Sequence, residues 1–216
     1  MTDHDHLVTT GDSTEGFDTQ HGAGWKERIS APPRRGWVRA LTEKVPLVGQ
    51  LREDMRANEG LLRPGFQALA VNRVGAWAAT DQAPKPLRAP ARVISRAGQV
   101  ICRNVYGIDL PETVQVGRRV RIVEQHGIVI HPFSVIGDDC IIRQGATLGA
   151  ISGDPERYAG EAPRLGRNVS VGVNACVLGD VEIGDDVQIG PNATVMDNVP
   201  ARAVVLSPKS RVMRPE

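Results

Sequence analysis

The chain has 216 residues, with 26 basic and 25 acidic side chains and a formal net charge of +1 at pH 7. This balance gives no basic field that would favour nucleic acid, and no apolar run approaches the roughly 18 residues of a membrane span. The first residues, MTDHDHLVTT, are acidic and polar, so we do not expect them to be a signal peptide. We therefore expect a soluble, cytoplasmic protein without a nucleic-acid or membrane partner.

The first half of the chain divides into a tail and a helical segment. Residues 1–35 have no apolar period and predict a disordered tail. From residue 36 to residue 106 the apolar residues recur at steps of three and four, which is typical of amphipathic helices. Pro64 and Gly65 separate two helices, and a Pro-rich connector at 83–90 leads to a third helical stretch. We expect a small helical N-terminal unit that packs on the domain after it.

The second half of the chain, residues 107–200, has a period of six. An aliphatic residue, usually followed by Gly, recurs at Ile136, Ile142, Leu148, Leu165, Val171, Val177, Ile183, Ile189 and Val195. A small or β-branched residue lies two positions before each, at Ser134, Cys140, Ala146, Pro163, Val169, Ala175, Val181, Val187 and Ala193. Neither a helix nor a simple strand has this period, whereas a parallel β-helix of hexapeptide repeats does. The fold class is therefore mainly β, with the aliphatic residues pointing inward.

The three cysteines are odd in number, which argues against a disulfide framework. Cys140 and Cys176 coincide with the small inward-facing residues of the repeat. We interpret them as reduced packing residues rather than as metal ligands.

Two interruptions of the period are the places where function is expected. Residues 124–132, EQHGIVIHP, insert two residues between Ile128 and Ile136. Residues 149–163 form a polar, glycine-bearing excursion that cannot continue the coil. Loops that leave a rigid solenoid typically carry its function. Beyond them, residues 201–216 predict an extended edge strand and a basic tail.

Several segments resemble the serine O-acetyltransferases of the hexapeptide-repeat acyltransferase superfamily. They are REDMRAN (52–58), PGFQALAVNRVGAWA (64–78), GIDLP (107–111), HGIVIHPFSVIGDDCIIRQGATLG (126–149) and PRLGRNVSVGVNACVLGDVEIGDDVQIGPNATV (163–195). The hexapeptides alone indicate only the superfamily, and the helical segment together with GIVI is more specific. The resemblance implies a left-handed β-helix and a homotrimer, or a dimer of trimers, with sites between neighbouring subunits. It also implies direct acetyl transfer from acetyl-CoA to the hydroxyl of L-serine, without a metal.

Such a reaction needs a neutral His as general base, a carboxylate that orients it, and N–H groups that stabilise the oxyanion. The resemblance assigns the carboxylate to Asp109 and the N–H groups to the loop mouth at Gly149 and Ala150. The position of the family's His holds Glu124, and the nearest histidine is His126, two residues later. We predict that His126 is the base. The alternatives are that Glu124 is the base, that the site is inactive, or that His126 is only a turn residue.

The residues implied for the acceptor match the family less well. Asp54 falls near the acidic residue that contacts the serine ammonium in a neighbouring subunit. The Arg-His pair that grips the serine carboxylate is replaced by Glu161 and Ala162. Arg157 and Arg164 are the candidate substitutes. This departure favours an alternative acceptor, such as the hydroxyl or amine of a sugar in polysaccharide or natural-product biosynthesis.

For the coenzyme, the resemblance implies a groove along the last coils, and Arg202, Lys209 and Arg211 are the candidate ligands of its phosphates. The family often ends in an Ile that inserts into the next enzyme of cysteine biosynthesis. This chain ends in Arg214-Pro215-Glu216, so we expect no such complex.

Two further interpretations remain open. The first is a zinc hydratase that uses His126 and His131, although a catalytic zinc generally needs three protein ligands and the other histidines lie in the expected tail. The second is a non-catalytic paralogue, which the substitutions at 124, 161 and 162 favour. For His131 itself we expect a surface or packing role.

Overall fold

The computed structural model describes residues 46–152 and 154–208. The expected tail at 1–35 and the candidate coenzyme ligands Lys209 and Arg211 lie outside the described residues. Three helices come first, α1 (Leu47–Ala57), α2 (Pro64–Ala78) and α3 (Lys85–Val105), and a short α4 (Pro155–Tyr158) lies in the excursion.

The rest of the described chain is a solenoid of short parallel strands. In chain order they are β1 (Ile108–Asp109), β2 (Gln115–Val116), β3 (Arg121–Val123), β4 (Ile128–Ile130), β5 (Val135–Ile136), β6 (Ile141–Arg143), β7 (Thr147–Gly149), β8 (Arg164–Leu165), β9 (Ser170–Val171), β10 (Cys176–Leu178), β11 (Glu182–Ile183), β12 (Gln188–Ile189), β13 (Thr194–Val195) and β14 (Val204–Val205). Every third strand stacks, which gives sheet A (β1-β4-β7-β10-β13), sheet B (β2-β5-β8-β11) and sheet C (β3-β6-β9-β12-β14). The chain therefore visits the three sheets in turn, as a β-helix of about five coils.

The predicted inward columns form the core. All nine aliphatic residues of the period and all nine small residues before them are buried. Leu148, Leu165, Val171 and Val177 have no exposed surface at all. Burial of such a column is the main favourable term in folding, at about 25 cal/mol per Å² of apolar surface. The predicted mainly β fold is confirmed.

The glycine that follows many aliphatic residues has a steric cause. A Cβ on Gly137 would lie 2.2 Å from the carbonyl oxygen of Gly166 in the next coil. A Cβ on Gly117 would lie 2.5 Å from the backbone of Gly137 and Asp138. At this corner the coils are in backbone contact, so a side chain cannot be accommodated without a shift.

The helical unit differs from expectation in one place. The connector at 83–90 is not a loop, because α3 begins at Lys85 and contains Pro90. Pro86 falls in the first turn, where backbone N–H groups have no helical partner, so its missing donor costs little there. α3 packs small residues against α2, and a Cβ on Gly98 would lie 2.6 Å from Val71.

A buried ion pair fastens α1 and α2 to the first coil. The Arg73 guanidinium contacts a carboxylate oxygen of Asp54 at 3.0 Å, with both side chains buried. The same guanidinium donates to the carbonyl oxygens of Val116 and Gly117. One cation therefore joins two helices and the end of β2.

Two buried amides make the same connection. The Asn58 amide donates to the carbonyl of Val120 at 2.9 Å, and its oxygen accepts from the N–H of Ile122 at 2.9 Å. The Asn72 amide donates to the carbonyl of Pro111 at 2.7 Å. Buried polar groups are stabilising only when they are paired, and these pairs fix the helical unit on the first coil.

Cys140 is a buried packing residue as predicted, whereas Cys176 does not face inward. Cys140 is fully buried, its thiol donates to the carbonyl of Gly166 at 3.1 Å, and burial raises its pKa to about 12. Cys176 is only half-buried, because its neighbour Ala175 is the inward residue and strand alternation turns Cys176 outward. Both thiols are free.

Candidate active site

The first interruption forms a strained turn between sheets C and A. Glu124, His126 and Gly127 all have positive φ, at 67°, 76° and 74°. Only glycine adopts this conformation freely, and strain at non-glycine residues clusters at functional sites. The turn is held by backbone bonds, because the His126 N–H donates to Tyr106 and its carbonyl accepts from Gly145. Both candidate side chains, Glu124 and His126, are exposed.

A pocket of about 510 Å³ lies between this turn and the start of α2. Its lining consists of Ala57, Asn58, Glu59, Arg63, Pro64, Gly65, Arg121, Ile122, Val123, Glu124, Gln125 and His126. The structure thus brings the two candidate bases into one cavity. Glu59 lies 3.6 Å from both Arg63 and Arg121, so the pocket also contains two arginines that sequence reasoning missed. Only the helical unit's position on the first coil could have revealed them.

Asp109 lies next to the strand that follows this turn, because β1 pairs with β4 and Asp109 is opposite Val129. It follows the inward-facing Ile108 in β1, so its side chain points away from the core. Gly107, two residues earlier, packs against the turn, and a Cβ there would lie 3.2 Å from Nδ1 of His126. The predicted role of Asp109 in orienting the base remains a prediction.

Asp54 is in the interior of the chain rather than in the pocket. It is fully buried and ion-paired with Arg73. Burial raises the pKa of Asp54, and the charge of Arg73 acts in the opposite direction. An acceptor could reach this carboxylate only if the ion pair opened, so its predicted contact with an ammonium group stays a prediction.

The loop mouth and the turn lie at opposite ends of neighbouring strands of sheet A. The turn enters β4, whereas Gly149 is the last residue of the neighbouring β7 and Ala150 follows it. A three-residue strand spans about 10 Å, so one chain does not bring His126 and the loop mouth together. The Gly149 carbonyl accepts from the N–H of Gly179 at 2.8 Å.

The excursion is tied to itself by Glu161. Its carboxylate accepts from the N–H groups of Ile151 and Ser152 at 2.9 and 2.8 Å and from the Ser152 hydroxyl at 2.9 Å. Ala162 beside it is buried. Sequence reasoning identified position 161 only as a departure from the family and did not foresee this contact.

The two arginines predicted to grip an acceptor carboxylate are both in ion pairs. Arg157 contacts Asp154 at 3.8 Å, one turn apart in sequence. Arg164 bonds to the Asp180 carboxylate and lies 3.5 Å from Glu182. Their predicted role in acceptor binding stays a prediction.

His131 lies under the excursion, where it has the packing role that was expected. It is 3% exposed, its ring centroid is 4.1 Å from that of Tyr158, and its Nδ1 accepts from the N–H of Phe133 at 3.2 Å. Because Nδ1 accepts, the proton of the neutral ring is on Nε2. Burial lowers the pKa of His131, while the Tyr158 carbonyl and the Glu161 charge oppose that shift. The ring is therefore neutral at pH 7.

A second pocket, of about 280 Å³, lies on the outer face of sheet C over the last coils. Arg143, Ser170, Gln188 and Leu206 are among its lining residues, and Arg143 donates to the Ser170 hydroxyl at 3.2 Å. Arg202 is exposed at the corner before β14, in the last of these coils. A groove on the last coils was predicted for the coenzyme, but Arg143 was not.

Comparison with known proteins agrees with this architecture. Residues 162–197 match the family model described as bacterial transferase hexapeptide (six repeats). Serine acetyltransferase of Mycobacterium tuberculosis is 32% identical over 179 residues, which cover 83% of this chain and 71% of that protein. The chain belongs to the serine acetyltransferase family.

Two other relatives of this chain carry different names. Serine acetyltransferase of Synechococcus elongatus is 34% identical over 153 residues, covering 71% of this chain but only 58% of that enzyme. A protein named as the colanic acid biosynthesis acetyltransferase WcaB of Escherichia coli K12 is 32% identical over 163 residues, covering 74% of this chain and 96% of its own length. The relatives of this chain therefore include a protein named for colanic acid biosynthesis.

A solved structure supports the same fold. Soybean serine acetyltransferase in complex with serine superposes with a TM-score of 0.64 at 23% identity, covering 82% of this chain and 73% of that one. None of the helices in the described part of the chain is long and apolar enough to span a membrane.

Proposed function

We propose that this chain transfers the acetyl group of acetyl-CoA directly to a hydroxyl of a small acceptor, with L-serine as the first candidate. The observation that carries the proposal is the pocket in which Glu124 and His126 lie together on a strained turn. Membership of the serine acetyltransferase family supports acetyl transfer, and the pocket supports the assignment of the acceptor and the base to this turn.

The active site is proposed to be shared between subunits of a trimer. Within one chain, His126 precedes β4 and Gly149 ends the neighbouring β7, so the two lie at opposite strand ends and a second copy would have to bring a loop mouth to each pocket. A surface on α3 also supports assembly. Its aliphatic side chains Leu87, Val93, Ile94, Val100, Ile101 and Val105 are each at least half exposed. Exposed apolar patches of this kind are typical of protein interfaces.

In the proposed reaction, His126 takes the proton of the acceptor hydroxyl, and the hydroxyl oxygen attacks the carbonyl carbon of the thioester. Asp109 orients the imidazolium that forms, and N–H groups at Gly149 and Ala150 stabilise the oxyanion. The carbon–sulfur bond then breaks, and the imidazolium returns its proton to the thiolate of coenzyme A. Coenzyme A is proposed to lie along the sheet C groove beside Arg143 and Arg202, with Lys209 and Arg211 at its phosphates.

The test compares His126→Ala and Glu124→Gln, with Gln125→Ala as the control in the same turn. We expect His126→Ala to lower kcat for thiol release by about 10²- to 10⁴-fold, the usual contribution of a general base. Glu124→Gln and Gln125→Ala should change it less than about tenfold. A large loss in Glu124→Gln with an unchanged His126→Ala would make Glu124 the base. Unchanged rates in both would remove the turn from the mechanism.

A sugar hydroxyl or amine is the second candidate acceptor. WcaB, which this chain covers almost completely, supports it, as does the negative charge of Glu161 near the loop mouth. Thiol release measured with L-serine, homoserine and nucleotide sugars separates the two candidates. Release with a nucleotide sugar and not with serine would replace the first candidate by the second.

A further inference from the structure

Glu161 occupies a small anion-binding nest within the excursion. Two consecutive backbone N–H groups, of Ile151 and Ser152, point at one carboxylate oxygen, and the Ser152 hydroxyl bonds to the other. Successive N–H groups that converge in this way form a concave site for anions. The bonds are 2.8–2.9 Å long, in the range of charge-assisted hydrogen bonds. The nest is therefore filled by a carboxylate of the chain itself.

The two nearby arginines of the excursion and β8 do not neutralise the Glu161 carboxylate, because each is paired with another carboxylate. Arg157 is paired with Asp154, and Arg164 with Asp180 and Glu182. His131, which feels the Glu161 charge, is buried and neutral at pH 7. The corner of the β-helix next to Gly149 and Ala150 thus presents a carboxylate and, among the described residues, no unpaired arginine.

We propose that Glu161 selects the acceptor by charge, excluding carboxylate-bearing molecules and favouring neutral or cationic hydroxyl or amine acceptors. This inference rests on the proposed function, because it assumes that the acceptor reacts beside the loop mouth. Glu161 acts in two ways. It occupies the N–H groups that would otherwise bind an anionic group, and its charge repels a second carboxylate brought within several ångströms. Charge selection by Glu161 therefore favours the second candidate acceptor of the proposed function, a sugar hydroxyl or amine, over L-serine, because L-serine carries a carboxylate.

The experiment uses matched acceptors that differ only in the anionic group. One pair is L-serine and L-serinamide, and the other is D-glucuronate and D-glucuronamide. The measured quantity is the ratio of kcat/KM for the neutral member to that for the anionic member, with acetyl-CoA as donor. The full chain should favour the neutral member. Glu161→Gln, which keeps the shape and one oxygen that accepts from the two N–H groups, should lower the ratio by about tenfold.

Asp186→Asn is the control, because it removes one carboxylate at another corner of the β-helix. Asparagine tolerates the positive φ of 61° at this position. It should leave the ratio unchanged. A ratio that stays the same in Glu161→Gln, whether the rates are kept or fall equally, would overturn charge selection and leave Glu161 a purely structural residue. No turnover with any of the four acceptors in any variant would instead contradict the proposed function on which the inference rests.

Discussion

The coils of the solenoid and the two segments attached to them are held together by different kinds of interaction. The coils contact each other through backbone hydrogen bonds, stacked aliphatic columns and glycines in backbone contact. The helical unit is attached by polar side chains, chiefly Arg73 and Asn58, and the excursion is held in its own shape by Glu161. The coils repeat one local rule, whereas each attachment uses one specific pair of groups.

This difference determines where stability and function are located. A repeated apolar contact spreads its free energy over every coil, so no single residue decides it. Substituting one member of a buried polar pair has a large effect on the free energy of unfolding, because the remaining member is then buried without a hydrogen bond. The candidate active site lies at the attachments, in the pocket between the helical unit and the first coil and at the loop mouth.

The largest expected effect is on the attachment of the helical unit. Arg73→Met should lower the free energy of unfolding by about 3–5 kcal/mol, since it leaves the Asp54 carboxylate buried without its cation. It also removes the donors to Val116 and Gly117. Urea denaturation at a fixed protein concentration measures the change.

Arg167→Met is the matched control for this prediction. Arg167 forms an ion pair with Asp185 at 2.8 Å, but its side chain is 68% exposed. Its loss should cost about 0–1 kcal/mol, as for other surface pairs. Equal losses in the two variants would show that the buried pair does not hold the helical unit.

The sequence predicted the coils well because the rule behind them is local. Each inward residue, such as Leu165 or Ile183, could be recognised by its spacing from the one before it. The attachments could not be predicted in this way. Arg73 and Gly117 are 44 positions apart, and Asn58 and Val120 are 62 apart, so nothing in either local sequence indicates the partner.

The second prediction compares glycines in the two kinds of region. Gly137→Ala should destabilise by about 1–3 kcal/mol, because its Cβ would meet the backbone of the next coil at 2.2 Å. Gly160→Ala, in the excursion, should change stability by less than about 0.5 kcal/mol, since its Cβ would only touch the Arg157 carbonyl at an ordinary 3.5 Å. Thermal unfolding of both variants measures the difference. Similar melting temperatures would contradict the idea that backbone contact sets the glycine positions.

The candidate site was predicted only in part. The interruption around His126 marked the turn, and the pocket there contains both His126 and Glu124. The roles of Arg63 and Arg121 depend on how the helical unit lies over β3, which the hexapeptide period does not encode. The Glu161 contact was also missed, because it forms within an irregular loop that has no period.

The smallest expected effect concerns His131 and its dependence on pH. Burial lowers the pKa of His131 in the folded chain below its ordinary 6.5. As the pH falls through 6.5 the unfolded state takes up this proton first, so the folded state loses stability. His131→Asn keeps an oxygen acceptor for the Phe133 N–H but does not titrate. The difference in melting temperature between the variant and the natural chain should therefore shift in favour of the variant between pH 8 and pH 5.5.

Glu161 provides an internal check on this last prediction. Its charge opposes the effect of burial on the pKa of His131. Glu161→Gln should therefore lower that pKa further and make the loss of stability in acid larger, whereas Glu161→Gln combined with His131→Asn should remove this extra loss. Neither side chain titrates in the double variant, so an extra loss in acid that persists there would come from another titrating group. That result would contradict the assignment of the pH dependence to His131.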